Sequence, residues 1–136
     1  MSTPAPVAMF YGRIWNAGDL GTASDLLTPD FSFRSSLGTE MRGRDEFTDY
    51  VRSIRSALSD YRCDIFECVA EGEQAFAKVI FSGRHVGVFR GYQPTRKLVS
   101  WVGAALFRFR GELISSLWVL GDLETLDAVL RRNQAD

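Results

Sequence analysis

The chain has 136 residues, 46% of them hydrophobic and 24% charged, with 16 basic against 17 acidic side chains and a net charge of −1. This is the composition of one globular domain, 1–136, long enough to bury about two thirds of its unfolded surface. The balanced charge gives no electrostatic footprint for nucleic acid or an anionic membrane, no stretch reaches transmembrane length, and no basic-plus-apolar leader opens the chain, so a cytoplasmic setting is expected.

Thr3 before Pro4 starts the first helix, and Val7, Phe10, Tyr11, Ile14 and Trp15 then recur at helical spacing as an aromatic stripe. Asn16-Ala-Gly-Asp19 breaks it. A short second helix carries Leu20, Ala23, Leu26 and Leu27 and stops at Thr28-Pro29, after which Phe31-Ser-Phe33 reads as a brief strand. The third helix runs from Arg44 to Leu58, with Phe47, Tyr50, Val51, Ile54 and Leu58 on its apolar side.

From Tyr61 the period changes to two, over segments 61–71, 74–89, 98–109 and 112–121. The connections between them are short enough to make neighbouring strands antiparallel. An apolar helical pattern closes the chain after Asp122. Helices first and strands second make an α+β fold. The economical packing is a curved antiparallel sheet wrapped as a cone around three N-terminal helices, with a short C-terminal helix and a pocket between helix and sheet. The outer sheet face (Ser100, Val102, Ala104, Leu106) is too apolar for bare solvent, so pairing through it as a homodimer or higher oligomer is expected.

Trp118-Val-Leu-Gly-Asp122 carries the most chemical information. Alternation over Ile114, Ser116, Trp118 and Leu120 puts a large aromatic on the strand face that leads to a carboxylate. An Asp in a dry apolar pocket has its pKa raised toward neutrality and becomes a proton-transfer group. An Asp at a strand–helix junction is also a favoured N-cap, and both readings stand. His85, the one histidine, shares by parity the face of Phe81 and Gly83 and points into the cone; the alternative is a strand-end imidazole bonded to a loop carbonyl. Tyr11, Trp15, Phe33, Tyr50, Phe81, Phe89, Trp101 and Trp118 are candidate substrate-binding walls, although such stripes also serve as plain core. Cys63 and Cys68, at odd spacing, lie on opposite faces of an unbroken strand and form no mutual disulfide. With one histidine and two cysteines, no conventional zinc set can be assembled, so no metal is expected.

The order of elements resembles the cone-shaped, cystatin-like fold shared by nuclear transport factor 2 and ketosteroid isomerase. The second half resembles the SnoaL-like polyketide cyclases, on Gly83-Arg-His85-Val-Gly87-Val-Phe89-Arg-Gly91-Tyr-Gln-Pro94-Thr95, Phe107-Arg-Phe109, and Trp118 followed by Asp122; Trp15-Asn-Ala-Gly-Asp19 fits as well. The resemblance implies an acid–base enzyme without cofactor, in which Asp122 takes a proton between activated carbonyls and a ring closes by intramolecular aldol addition. His85 would orient the substrate or share the proton.

The strand Trp101-Val-Gly-Ala-Ala-Leu-Phe107 departs from that pattern: apart from the indole N–H, its Trp101 face lacks a side chain that could bind the substrate's carbonyl oxygens. The expected function is therefore a cyclase or isomerase acting on a hydrophobic, carbonyl-bearing, polyketide-like intermediate. The alternatives are a non-catalytic ligand-binding or association domain of the same fold, or an epoxide-opening or polyene-folding cyclase.

Overall fold

The computed structural model describes Thr3–Ala135. Helix α1 (Ala5–Met9) starts on Pro4-Ala-Pro6, with proline in its first turn where the missing N–H costs nothing. It runs directly into a π-helical segment, Phe10–Asn16, whose closing bond runs from Ala17 N–H to Gly12 O at 3.1 Å. The wider turn lets adjacent pairs, Phe10-Tyr11 and Ile14-Trp15, all face inward. The Arg55 guanidinium donates to the Trp15 and Asn16 carbonyls and closes this helix end. The Asn16 side chain mimics a strand, giving one bond to Cys63 O and taking one from Cys63 N–H.

A 3-10 turn (Leu20–Thr22) leads into α2 (Ala23–Leu26), β1 (Leu27–Arg34) and β2 (Glu40–Arg42). Then follow α3 (Arg44–Ala57), β3 (Leu58–Glu71), β4 (Gln74–His85), β5 (Leu98–Arg110), β6 (Leu113–Gly121) and α4 (Leu123–Ala135). The six strands form one curved sheet in the order β2-β1-β6-β5-β4-β3. Its concave side holds the helices and a core centred on Phe10, Phe31, Phe33, Phe47 and Phe107, with ring centroids 5.0–6.5 Å apart. Burying each such ring contributes roughly 1.5–3 kcal/mol. No helix among the described residues is long and apolar enough to cross a membrane.

The α+β cone is as expected, with differences of detail. The sheet is mixed rather than antiparallel, because β1 lies parallel to β6. Thr28-Pro29 does not end a helix but lies within β1, which is longer than Phe31-Ser-Phe33 and pairs with a strand the period did not signal. Strand β4 ends at His85 rather than 89, since Val86 and Gly87 direct their N–H groups to Ala57 O at the end of α3.

The sheet has several register shifts, and two of them bear on the candidate residues, because one extra residue reverses the alternation of every residue beyond it. In β3 the register shifts between Ile65 and Glu67, leaving Phe66 as the extra residue. Cys63 therefore pairs with Phe81 and Cys68 with Ala77, both on the inner face; the opposite-face expectation fails, and both thiols are free. In β6 the register shifts between Ile114 and Ser116, so Ser115 is unpaired and its hydroxyl bonds to Arg108 O. Beyond it, Leu117 and Val119 point inward while Trp118 and Leu120 point out, 48% and 51% exposed.

Candidate functional site

A narrow cavity lies between the helices and the sheet. Phe10, Tyr11 and Trp15 of the π-helical segment and Tyr50 and Ile54 of α3 form one side. Tyr61, Phe81, Trp101, Leu117 and Val119 of the sheet form the other, and Phe33 with the turn Ser35-Ser36-Leu37 closes an end. Its free volume is about 20 Å³, room for one or two water molecules. A ligand of ordinary size needs several hundred Å³, so the walls must move to admit one.

The lining holds phenols, serines and two indoles, but no carboxylate, imidazole, ammonium or guanidinium. Tyr11 is 3% exposed and its hydroxyl has no hydrogen-bond partner. Burial, reinforced by the neighbouring Cys63 and Cys68 thiols, pushes its phenol well above the usual range, so it remains a neutral O–H donor. Burial does the same to Tyr61, and more weakly to Tyr50, where Ser35 and Thr39 partly oppose it. The Trp101 indole N–H donates to Ser36 Oγ at 3.3 Å. Ser35 Oγ accepts from the N–H groups of Leu37 and Thr39, fixing the turn. That turn rests against Gly121, where an added Cβ would come within 2.4 Å of Ser36 O.

Six of the expected walls meet here: Tyr11, Trp15, Phe33, Tyr50, Phe81 and Trp101. Trp118 does not, because the Ser115 bulge turns it outward, where the Arg34 guanidinium stacks over its ring at 5.4 Å. Phe89 is buried behind Trp101 at 5.9 Å, outside the cavity. Ser36 and Tyr61 escaped the sequence reading. The Ser35-Ser36 turn could have been suspected from Ser-Ser-Leu-Gly38, and Tyr61 from its shared parity with inward Cys63.

Asp122 does not face the cavity. The bulge carries it to the outer side, beside Lys78, Val102 and Leu120, and its carboxylate caps α4. Oδ1 accepts the Thr125 N–H at 3.1 Å and Oδ2 the Thr125 hydroxyl at 2.7 Å. These bonds hold its carboxyl below the usual range, the opposite of the raised value a catalytic acid in an apolar pocket requires. In the structure Asp122 has the geometry of the N-cap of α4.

His85 is fully buried, as the inward expectation required, and neither ring nitrogen has a partner. It is not among the residues that line the cavity; Phe89 stands edge-on to it at 6.2 Å and also packs on Trp101 at 5.9 Å. Among the described residues, Tyr11 and His85 are the titratable side chains buried with unpartnered polar atoms.

The family model described as SnoaL-like polyketide cyclase matches residues 5–129. No curated protein matches the sequence. Solved structures match along nearly the whole chain. A proposed polyketide cyclase from Acidithiobacillus ferrooxidans is 18% identical with a TM-score of 0.85, over 98% of this chain and 99% of that one. IdmH, a proposed polyketide cyclase from Streptomyces antibioticus, is 22% identical with a TM-score of 0.79, over 90% and 94%. A ketosteroid isomerase-like protein from Catenulispora acidiphila is 18% identical with a TM-score of 0.80, over 95% and 94%. At these identities the likeness is one of fold.

Proposed function

Because this chain belongs to the SnoaL-like polyketide cyclase family, we propose that it is a cofactor-independent cyclase or isomerase acting on a hydrophobic, carbonyl-bearing, polyketide-like intermediate. The observation that carries this reading is the Tyr11 hydroxyl, buried in the wall of an aromatic cavity without a partner. An unpaired buried hydroxyl costs about 1–3 kcal/mol, a cost recovered when a ligand carbonyl accepts its hydrogen bond. As that carbonyl becomes an enolate, the same bond strengthens, and in a dry site such a donor contributes most of all in the transition state.

The proton must leave the carbon between two carbonyls, and Asp122 does not line the cavity. The base in this proposal is His85, whose ring nitrogens are free of other bonds. It takes the proton, the enolate carbon bonds to a distant carbonyl carbon, and the proton returns to the new alkoxide oxygen, so the product is an isomer of the substrate. The aromatic walls fold the chain over itself and supply proximity.

A linear polyketone analogue, followed by liquid chromatography and mass spectrometry, tests this. Wild type should give a cyclised product of unchanged mass, with turnover lost in Tyr11→Phe and His85→Gln. The small free volume and the absence of a carboxylate from the lining favour one second reading, a ligand-binding domain without catalysis. Tight binding of the analogue with no product would establish that instead. We also assign the outer sheet face to pairing with a second copy: Phe76, Ile80, Val102, Trp118 and Leu120 all project from it, 37–51% exposed.

A further inference from the structure

The excursion between β4 and β5 covers His85, and several of its features set it apart. It is anchored at its base, where His85 N–H bonds to Lys97 O at 3.0 Å and Arg96 N–H to His85 O at 2.8 Å. Its first residues rest on the end of α3, where Val86 and Gly87 N–H share Ala57 O at 2.9 and 3.0 Å. Gly87 fits that seat because it has no Cβ, which would lie 3.1 Å from Ser56 O and 3.2 Å from Ala57 Cα.

Beyond these anchors, Phe89 is the one buried side chain between residues 86 and 95. The tip is a two-residue hairpin, Phe89 and Tyr92 exchanging backbone bonds across Arg90-Gly91, both with positive φ (50° and 82°). Arg90 and, at the far anchor, Arg96 (φ 64°) are among the few non-glycine residues held left-handed, a conformation that stores strain.

Two polar ties hold the tip down. The Arg90 guanidinium grips the Asp127 carboxylate of α4 by two bonds of 2.9 and 3.0 Å, and Gln134 Nε2 donates to Gln93 O at 2.7 Å. The Arg90–Asp127 pair is the least exposed ion pair among the described residues, at 24% and 31%. Helix α4 itself is fixed, since Leu126 and Leu130 are fully buried beneath it. Under the tip, the Phe89 ring touches both the cavity wall, at 5.9 Å from Trp101, and the unpartnered imidazole of His85, at 6.2 Å.

We propose that residues 86–95 are a lid, latched by Arg90–Asp127, whose opening withdraws Phe89 and joins His85 to the aromatic cavity. The joined space is the binding site for a hydrophobic ligand. A segment with one buried side chain, stored strain and a few polar ties opens at far lower cost than the whole fold. The lid gives the role for His85 under Proposed function its route to the substrate, and rests on that reading only for its purpose.

His85 is the sole histidine, so carbethoxylation by diethyl pyrocarbonate, followed by ultraviolet absorbance, reports exposure of His85 and does not depend on activity. Wild type should react slowly. Asp127→Asn and Arg90→Gln should react about tenfold faster or more, the factor carried by hydrogen bonds to a charged group. The exchanged pair, Arg90→Asp with Asp127→Arg, should return toward the wild-type rate. Ile114→Val, in the core at the start of β6, controls for general loss of stability.

Equal acceleration in that control and in the latch variants would overturn the lid. Hydrogen exchange on the wild-type protein gives a second measure free of any variant. The Phe89 and Tyr92 amides should exchange together, well before the amides of β5. Exchange of these amides only with global unfolding would likewise overturn the lid. A lid that opens as described in a protein that makes no product would leave the lid standing and refute the cyclase.

Discussion

Replacing Tyr11 by phenylalanine separates a functional hydroxyl from a structural one by the sign of its effect. The ring is 3% exposed and packs edge-on against Phe10 at 5.1 Å and Phe107 at 5.8 Å, contacts a phenylalanine keeps. The hydroxyl alone is lost, and it has no partner to leave stranded. Burying an unpaired hydroxyl costs about 1–3 kcal/mol, while the gap left by one oxygen forfeits a smaller amount of packing. Tyr11→Phe should therefore be neutral or more stable by about 1 kcal/mol. Urea unfolding, followed by circular dichroism, should show a higher midpoint at unchanged slope.

Turnover should move the other way. Loss of one donor to a developing oxyanion costs about 10²–10³ in kcat. A gain in stability with a loss of activity is the pattern of a site that stores an unsatisfied group for its ligand. Destabilisation by more than about 1 kcal/mol would mean that the hydroxyl is already bonded in the folded protein, and the reasoning would fall. Unchanged turnover would remove Tyr11 from the chemistry.

Asp122→Asn should leave both melting temperature and turnover near wild type, since Asn caps a helix about as well as Asp, whereas Asp122→Ala should melt earlier by calorimetry. Leu120→Asp, on the outer face, should shift sedimentation toward monomer at micromolar concentration; a wild-type protein that already sediments as a monomer would refute pairing through that face. The Asp127 carboxyl is held below its usual range by the Arg90 hydrogen bond, so it contributes stability above the unfolded value near 4 and loses it as pH falls through the folded one. The stability difference between wild type and Asp127→Asn, measured by urea titration, should accordingly shrink below about pH 4. Burial pushes the Cys63 thiol far up, so iodoacetamide should label the partly exposed Cys68 first and reach Cys63 only on unfolding, as peptide mass spectrometry would show.

Much of this architecture is local and therefore legible in the chain. The aromatic stripe Phe10-Tyr11, Ile14-Trp15 and the α3 positions Phe47, Tyr50 and Ile54 follow from helical spacing, and all face the core or cavity. Alternation in β4 and β5 places Phe81 and Trp101 inward because those strands pair without a register shift. A change of period from helix to strand was enough to imply an α+β cone.

What sequence could not decide lies beyond each break in alternation. Phe66 and Ser115 are unremarkable in composition, and only the pairing of β3 with β4 and of β5 with β6 makes them bulges. The Ser115 bulge sent Trp118 and Asp122 to the outer face, where Asp122 caps α4, and brought Leu117 and Val119 to the cavity. His85 was inward by parity, but its covering by Phe89 depends on a fold-back of residues 86–95 that no periodicity encodes. Periodicity determines which side of an element is apolar. Register, set by partners far along the chain, decides which residues meet in the site.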